Sequence, residues 1–297
     1  MHSRAIRPLP LPLAWRRAIL AWFAGAAMMA AVGPARETSS SPFPPLEEWK
    51  NAVTQGGGAR LEALYSTNPK ARVETPAGET DAAADVRFWS GLKARRLQAR
   101  VVESASPQPG LRQFVLATEI HPAGAGAQTL YVNVAQIWQQ QGNLWRLVAL
   151  QRTDASRLEQ PVSTSRQIYP AGVDAQQEIA QALRETAVDG KHVLLVFGAN
   201  WCYDCHVLEL AFERSDLAPV LRRDYLVVHI DVGKYDKNQD VANRYQVPLN
   251  RGVPAVVVLD SKGQVLFAQQ HDEFGRARSL TPEFLLHFLN QWKPQTR

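Results

Sequence analysis

The chain has 297 residues, 45% of them hydrophobic, with 33 basic and 28 acidic side chains and a net charge of +5. That length accommodates two compact domains plus a leader, and the apolar content suffices for packed cores. Four of the basic residues and no acid fall within residues 1–35, which leaves 29 against 28 in a nearly neutral body with no electrostatic footprint for nucleic acid.

The chain opens like an export signal. Arg4, Arg7, Arg16 and Arg17 precede an apolar core from Ala18 to Val32, which gives way to small residues. The run is short for a membrane span. Cleavage is expected after Gly33-Pro34-Ala35, and an uncleaved segment would act as a signal anchor. No cysteine follows the apolar core, so a lipid-modified start is excluded. The expected location is periplasmic or secreted, membrane-anchored if the signal stays. Residues 36–45 are rich in Ser and Pro and read as a tether.

Residues 46–155 form a first domain. Leu46, Trp49 and Val53 lie at helical spacing, and Leu61, Leu64 and Tyr65 begin a second short helix that ends near Asn68-Pro69. Asp81 to about Lys93 reads as a third helix. Four β-like stretches follow, at 98–103, 112–120, 129–139 and 144–152, the last two joined by the turn Gln141-Gly142-Asn143. Helices first, then a meander, is an α+β layout. The final hairpin, with this layout, resembles the nuclear-transport-factor-2-like (NTF2-like) cone fold. The resemblance implies a curved sheet around helices, enclosing a pocket, in a binding or dimerising module. No acid–base pair stands out. His121 and Tyr131 are polar residues near strands and read as a turn histidine and a packed tyrosine, and Trp89, Trp138 and Trp145 read as packing.

Residues 156–170 read as a linker and 171–297 as a second domain. Asp174 caps a helix that Gly190 ends. Val193–Phe197 is a buried strand, and a tight turn brings Trp201, Cys202, Tyr203, Asp204 and Cys205 to the start of another helix. A further helix is expected over 217–223, then a buried strand over 225–232 and a helix over 236–245. A hairpin of 253–260 with 264–269 follows. The last helix covers 281–292, with Phe284, Leu285, Phe288 and Leu289 facing inward.

Two cysteines three apart share a helix face and reach disulfide geometry without backbone movement. Cys202, at the positive end of the helix, is favoured as a thiolate, and Cys205 becomes the resolving thiol. The pair also fits a structural disulfide or half a metal site, though tetrahedral zinc needs four ligands and the chain has no third cysteine. His206 reads as a helix-surface residue.

Trp-Cys-x-x-Cys on a strand–turn–helix, followed by Gly252-Val253-Pro254-Ala255, resembles the thioredoxin superfamily. The resemblance implies an α/β thioredoxin fold with a cis Pro254 that sets the Val253 backbone beside Cys202. Trp201 would then offer substrate a flat apolar contact. Tyr203 and Asp204 stand where thioredoxin has Gly-Pro. A carboxylate there opposes thiolate formation, which tilts the pair towards reduction. Thioredoxin's buried Asp and its Lys partner are replaced by Val196 and Val227, so the Cys205 proton must use another route, through Asp204, Glu209 or water.

The expected activity is that of an exported thiol–disulfide oxidoreductase that reduces or reshuffles protein disulfides. It needs an electron-donating thiol partner and no cofactor. A homodimer would form through the N-terminal domain. Two alternatives are a ligand-binding or scaffold protein with a redox-switch C-x-x-C, and a copper chaperone using Cys202, Cys205 and His206.

Overall fold

A computed structural model describes residues 43–295. The expected export signal and most of the tether lie outside these residues. The chain divides into two compact units, the second holding residues 154–297 with two short stretches, Ala117–Ile120 and Gly126–Asn133.

The N-terminal part begins with α1 (Pro44–Thr54), so the last residues assigned to the tether are helical. Proline suits a first helical turn, whose N–H groups have no partner within the helix. After α2 (Gly58–Glu62) come β1 (Arg72–Thr75), β2 (Gly78–Thr80), α3 (Ala82–Gly91), β3 (Ala94–Ala105), β4 (Leu111–Pro122), β5 (Leu130–Gln141) and β6 (Leu144–Arg152). The sheet order is β2-β1-β6-β5-β4-β3. Helices followed by one long meander is the α+β layout expected. Trp49, Trp89 and Trp138 are fully buried, and the Trp49 and Trp89 rings meet edge to face at 5.0 Å. β1 and β2 have no counterpart in the sequence reading. They are three or four residues long, and β1 is held by parallel pairing with β6, Val73 opposite Leu150, which no local pattern announces.

The C-terminal part runs α4 (Ala175–Asp189), β7 (His192–Gly198), α5 (Tyr203–Phe212), α6 (Ala218–Asp224), β8 (Tyr225–Asp231), α7 (Gln239–Arg244), β9 (Ala255–Leu259), β10 (Val265–Ala268) and α8 (Pro282–Gln291). Asp174 caps α4 by accepting from the Gln176 and Gln177 N–H groups, and Gly190 ends it at φ 75°. In the sheet, ordered β10-β9-β7-β8, β7 pairs in parallel with β8 and antiparallel with β9. Because strand side chains alternate, Val193, Leu195 and Phe197 enter one core while Leu194 and Val196 enter the other. Both cysteines belong to the first core.

Three expectations need correction. The segment assigned as a linker is not free chain, since Leu158 is buried in one of these cores and Ile168 and Tyr169 in the other. Phe284 is 40% exposed, at the flank of the inward stripe formed by Leu285, Phe288 and Leu289. His206 is buried rather than on the surface, because α5 is covered on nearly every side.

Candidate active site

The site is assembled at the carboxyl end of β7. Cys202 is the N-cap of α5, and Cys205 lies one turn in. Their sulfurs are joined in a disulfide across a Cα–Cα separation of 5.3 Å. The Cys205 backbone N–H points at Cys202 Sγ, 3.1 Å away. That donor is one of the N–H groups a helix start leaves without an intrahelical partner, so it stands ready for a negative charge on the first sulfur. Cys202 Sγ also lies 3.4 Å from the Val253 carbonyl oxygen. The Val253–Pro254 peptide is cis. The cysteine residues are covered, Cys202 keeping 4% and Cys205 2% of their surface.

Trp201, by contrast, is half exposed. Its indole N–H donates to the Gly233 carbonyl at 2.7 Å, and its ring lies 5.7 Å from that of Tyr235, itself 39% exposed. The loop that carries Tyr235 is shaped by Asp231, which accepts from the Gly233 N–H and from Lys237 Nζ. Tyr235 sits at φ 66°, a conformation that L side chains seldom adopt, so this local fold is set by the Asp231 contacts rather than by preference. No motif in the sequence marks Tyr235 as a neighbour of Trp201.

The residues between the cysteines do not face solvent as expected. Asp204 is buried and bound by Arg278, through the Arg278 backbone N–H at 2.9 Å, Nε at 3.0 Å and a terminal guanidinium nitrogen on Oδ2. Its negative charge is therefore matched by a cation, so this carboxylate does not hold Cys202 back from ionising as the sequence implies. Tyr203 donates to Gln160 Oε1 at 3.0 Å, with the Arg278 guanidinium 5.0 Å from its ring centre. Burial, opposed by Arg278 and reinforced by Asp204, pushes the phenol up to about 12, so it stays neutral where thiols react. Arg278 is 74 residues from Asp204 in sequence, and no local signal could have found it.

Asn200 ties the incoming chain to this turn. Its Oδ1 accepts from the Ile168 and Tyr169 N–H groups at 2.8 and 2.9 Å, and its Nδ2 donates to the Tyr169 carbonyl at 2.8 Å. His206 Nε2 is engaged with the Asn200 carbonyl at 2.8 Å, which turns the ring away from a role as third ligand beside the sulfurs. Val196 and Val227 are apolar, as the sequence indicates. Val196 lies opposite His229 in the β7–β8 register. His229 Nε2 is 2.9 Å from Glu209 Oε2, with Arg166 3.7 Å from the other carboxylate oxygen.

Burial acts to raise the Glu209 carboxyl, but the hydrogen bond and charge of His229, then Arg166 and His206, hold it below its ordinary value. A carboxylate lowered in the folded state stabilises the protein above its unfolded value, about 4.3, and ceases to do so as pH falls through the folded one. Glu209→Gln is expected to be less stable than wild type at neutral pH, with the two converging in acid. Urea unfolding followed across that range checks this, and a constant gap down to the lowest pH would contradict it.

A thioredoxin-like family model matches residues 174–261. A solved disulphide isomerase from Xylella fastidiosa Temecula1 is 32% identical, the match covering 43% of this chain and 97% of that one with a TM-score of 0.41. An NTF2-like protein of unknown function in nutrient uptake from Rhodospirillum rubrum ATCC 11170 is 22% identical, covering 37% of this chain and 94% of that one at a TM-score of 0.32. An NTF2-like protein of unknown function from Shewanella oneidensis MR-1 is 9% identical, with the same coverage and TM-score. No curated relative matches the sequence.

Proposed function

We propose that this chain is an exported thiol–disulfide oxidoreductase that reduces or reshuffles disulfides in other envelope proteins, a reading supported by the thioredoxin-like family model matched over residues 174–261. One observation carries the reading. The Cys202–Cys205 bridge sits at a helix start, with a backbone N–H on Cys202 Sγ and the Val253 carbonyl of a cis-proline loop beside it.

In the reduced protein, the Cys202 thiolate attacks a substrate disulfide and forms a mixed disulfide. Cys205 then displaces the substrate and closes the bridge. The substrate approaches as an extended segment along Val253 and Pro254, with Trp201 receiving an apolar side chain next to its cysteine. A thiol partner returns two electrons to the bridge after each turnover. The N-terminal domain serves as a binding or dimerising module, and residues 1–35 direct export. The buried, Asn200-bound His206 argues against the copper-chaperone alternative, since it offers no free nitrogen beside the sulfurs on the Nε2 side.

With Asp204 neutralised by Arg278, the direction of flux is decided by the reduction potential of the pair. Equilibration against a glutathione buffer decides it: a value near thioredoxin's, about −270 mV, supports the reductive reading, and one near that of a strong oxidant, about −120 mV, contradicts it. A potential at the oxidising end would sink the reductive reading, and failure to reduce insulin at all would sink the enzyme.

A further inference from the structure

We propose that Tyr169 is a positioning residue for the resolving cysteine: once the bridge opens, its buried phenol donates a hydrogen bond to the Cys205 sulfur and favours its anion. The proposal rests on the dithiol reading above and names the group that handles the second sulfur.

Tyr169 is 1% exposed, and among the described residues its hydroxyl has no hydrogen-bond partner in the disulfide form. Buried hydroxyls are almost always paired, and an exception calls for an explanation. The explanation lies at Gly198, the last residue of β7. A Cβ there would collide with the Tyr169 phenol and stand 2.7 Å from Cys205 Sγ. Phenol and sulfur therefore border one small space that only glycine leaves open. In the bridge, the Cys205 sulfur is a poor acceptor. Reduction turns it into a thiol and then a thiolate, so the reaction itself creates the partner the hydroxyl lacks.

The phenol is also held in place. Asn200, two residues before Cys202, grips the Tyr169 backbone on both its N–H and its carbonyl. The ring meets that of His229 edge to face at 5.3 Å. The titratable groups around it are Glu209 and His206 from α5 and His229 and Asp231 from β8. Each is engaged elsewhere: Glu209 with His229, Asp231 with Lys237, His206 with Asn200. Burial, then the Glu209 and Asp231 charges, raise the phenol's ionisation well above its ordinary value, so it remains a donor wherever thiols titrate.

The step balances without proton transfer through the phenol. The Cys205 thiol gives its proton to water, and its sulfur attacks Cys202 Sγ in the mixed disulfide. The bond from Cys202 to the substrate sulfur breaks, and the substrate thiolate leaves and takes a proton from water. Two electrons pass from the dithiol to the substrate, and Tyr169 keeps its hydrogen.

The decisive measurement is the ionisation of Cys205 in the Cys202→Ser protein, followed by thiolate ultraviolet absorbance with and without Tyr169→Phe. Loss of the hydroxyl is expected to raise the Cys205 pKa by about one unit. Tenfold less thiolate, partly offset by its greater nucleophilicity, slows mixed-disulfide resolution at neutral pH about threefold. The first attack by Cys202 stays within about twofold. Fluorotyrosine at position 169, a stronger donor of the same shape, should shift Cys205 the other way, which holds even if the Phe variant packs poorly. Unchanged Cys205 titration in both variants overturns the assignment. The titration needs no substrate, so a wild type that fails to reduce insulin would refute the enzymatic reading while leaving the Tyr169 result to stand by itself.

Discussion

Cys202→Ser will not reduce insulin above background, a loss of roughly a thousandfold or more, since the thiol that remains, Cys205, lies one turn inside the helix with 2% of its surface exposed. Cys205→Ser will behave differently. Cys202 keeps the Cys205 backbone N–H on its sulfur and the Val253 carbonyl beside it, because neither contact uses the Cys205 side chain. The first attack therefore proceeds and the mixed disulfide accumulates, with no second sulfur to release it. Mass spectrometry of the protein after incubation with a disulfide-bonded peptide checks both outcomes. Equal activity loss without a trapped adduct would contradict the order of attack and assign the nucleophile to the wrong cysteine.

Removing Arg152 should strongly destabilise the N-terminal domain. Asp85 is fully buried and accepts from the Tyr65 hydroxyl at 2.5 Å, the Trp89 indole N–H at 3.0 Å and Arg152 Nε at 2.6 Å. Arg152 in turn lies 3.3 Å above the Phe88 ring centre. Arg152→Met leaves a carboxylate in the interior without its cation, at a cost of about 3–5 kcal/mol. The exposed pair Arg72–Glu79 offers a control of the same chemistry, where Arg72→Met should cost under about 1 kcal/mol. A double variant that also replaces Asp85 with asparagine should recover part of the loss, since the buried charge is gone while a side-chain oxygen still accepts from Tyr65 and Trp89. Urea unfolding of the four proteins tests the set. A cost for Arg152→Met no larger than that of the surface control would mean that the buried pair is not needed to hold this domain together.

Much of this architecture is written in local chemistry. Asp174 and Gly190 bracket α4, and Gly142 turns the β5–β6 hairpin at φ 62°. Both signals act within a few residues, where backbone conformation and capping are decided. The same holds for α5, which starts at Cys202. The strand β1 has no local signature because its pairing with β6 is made at a distance, and β2, three residues long, is held only by its hairpin with β1. The burial of His206 and the exposure of Phe284 depart from helical spacing for a related reason. Helical spacing says which residues share a face, but not how much of the helix its neighbours will cover.

For the site the division is sharper. The sequence alone determined that two thiols lie one helical turn apart behind a buried strand, since i, i+3 spacing and the helix start are short-range properties. The folded molecule decided what surrounds them. Arg278 cancels the Asp204 charge from 74 positions away, and Tyr169, in a stretch that reads as linker, sets its phenol against the second sulfur. Charge and desolvation act through space, so a carboxylate or a hydroxyl takes its character from neighbours that only the packing of distant segments brings within reach.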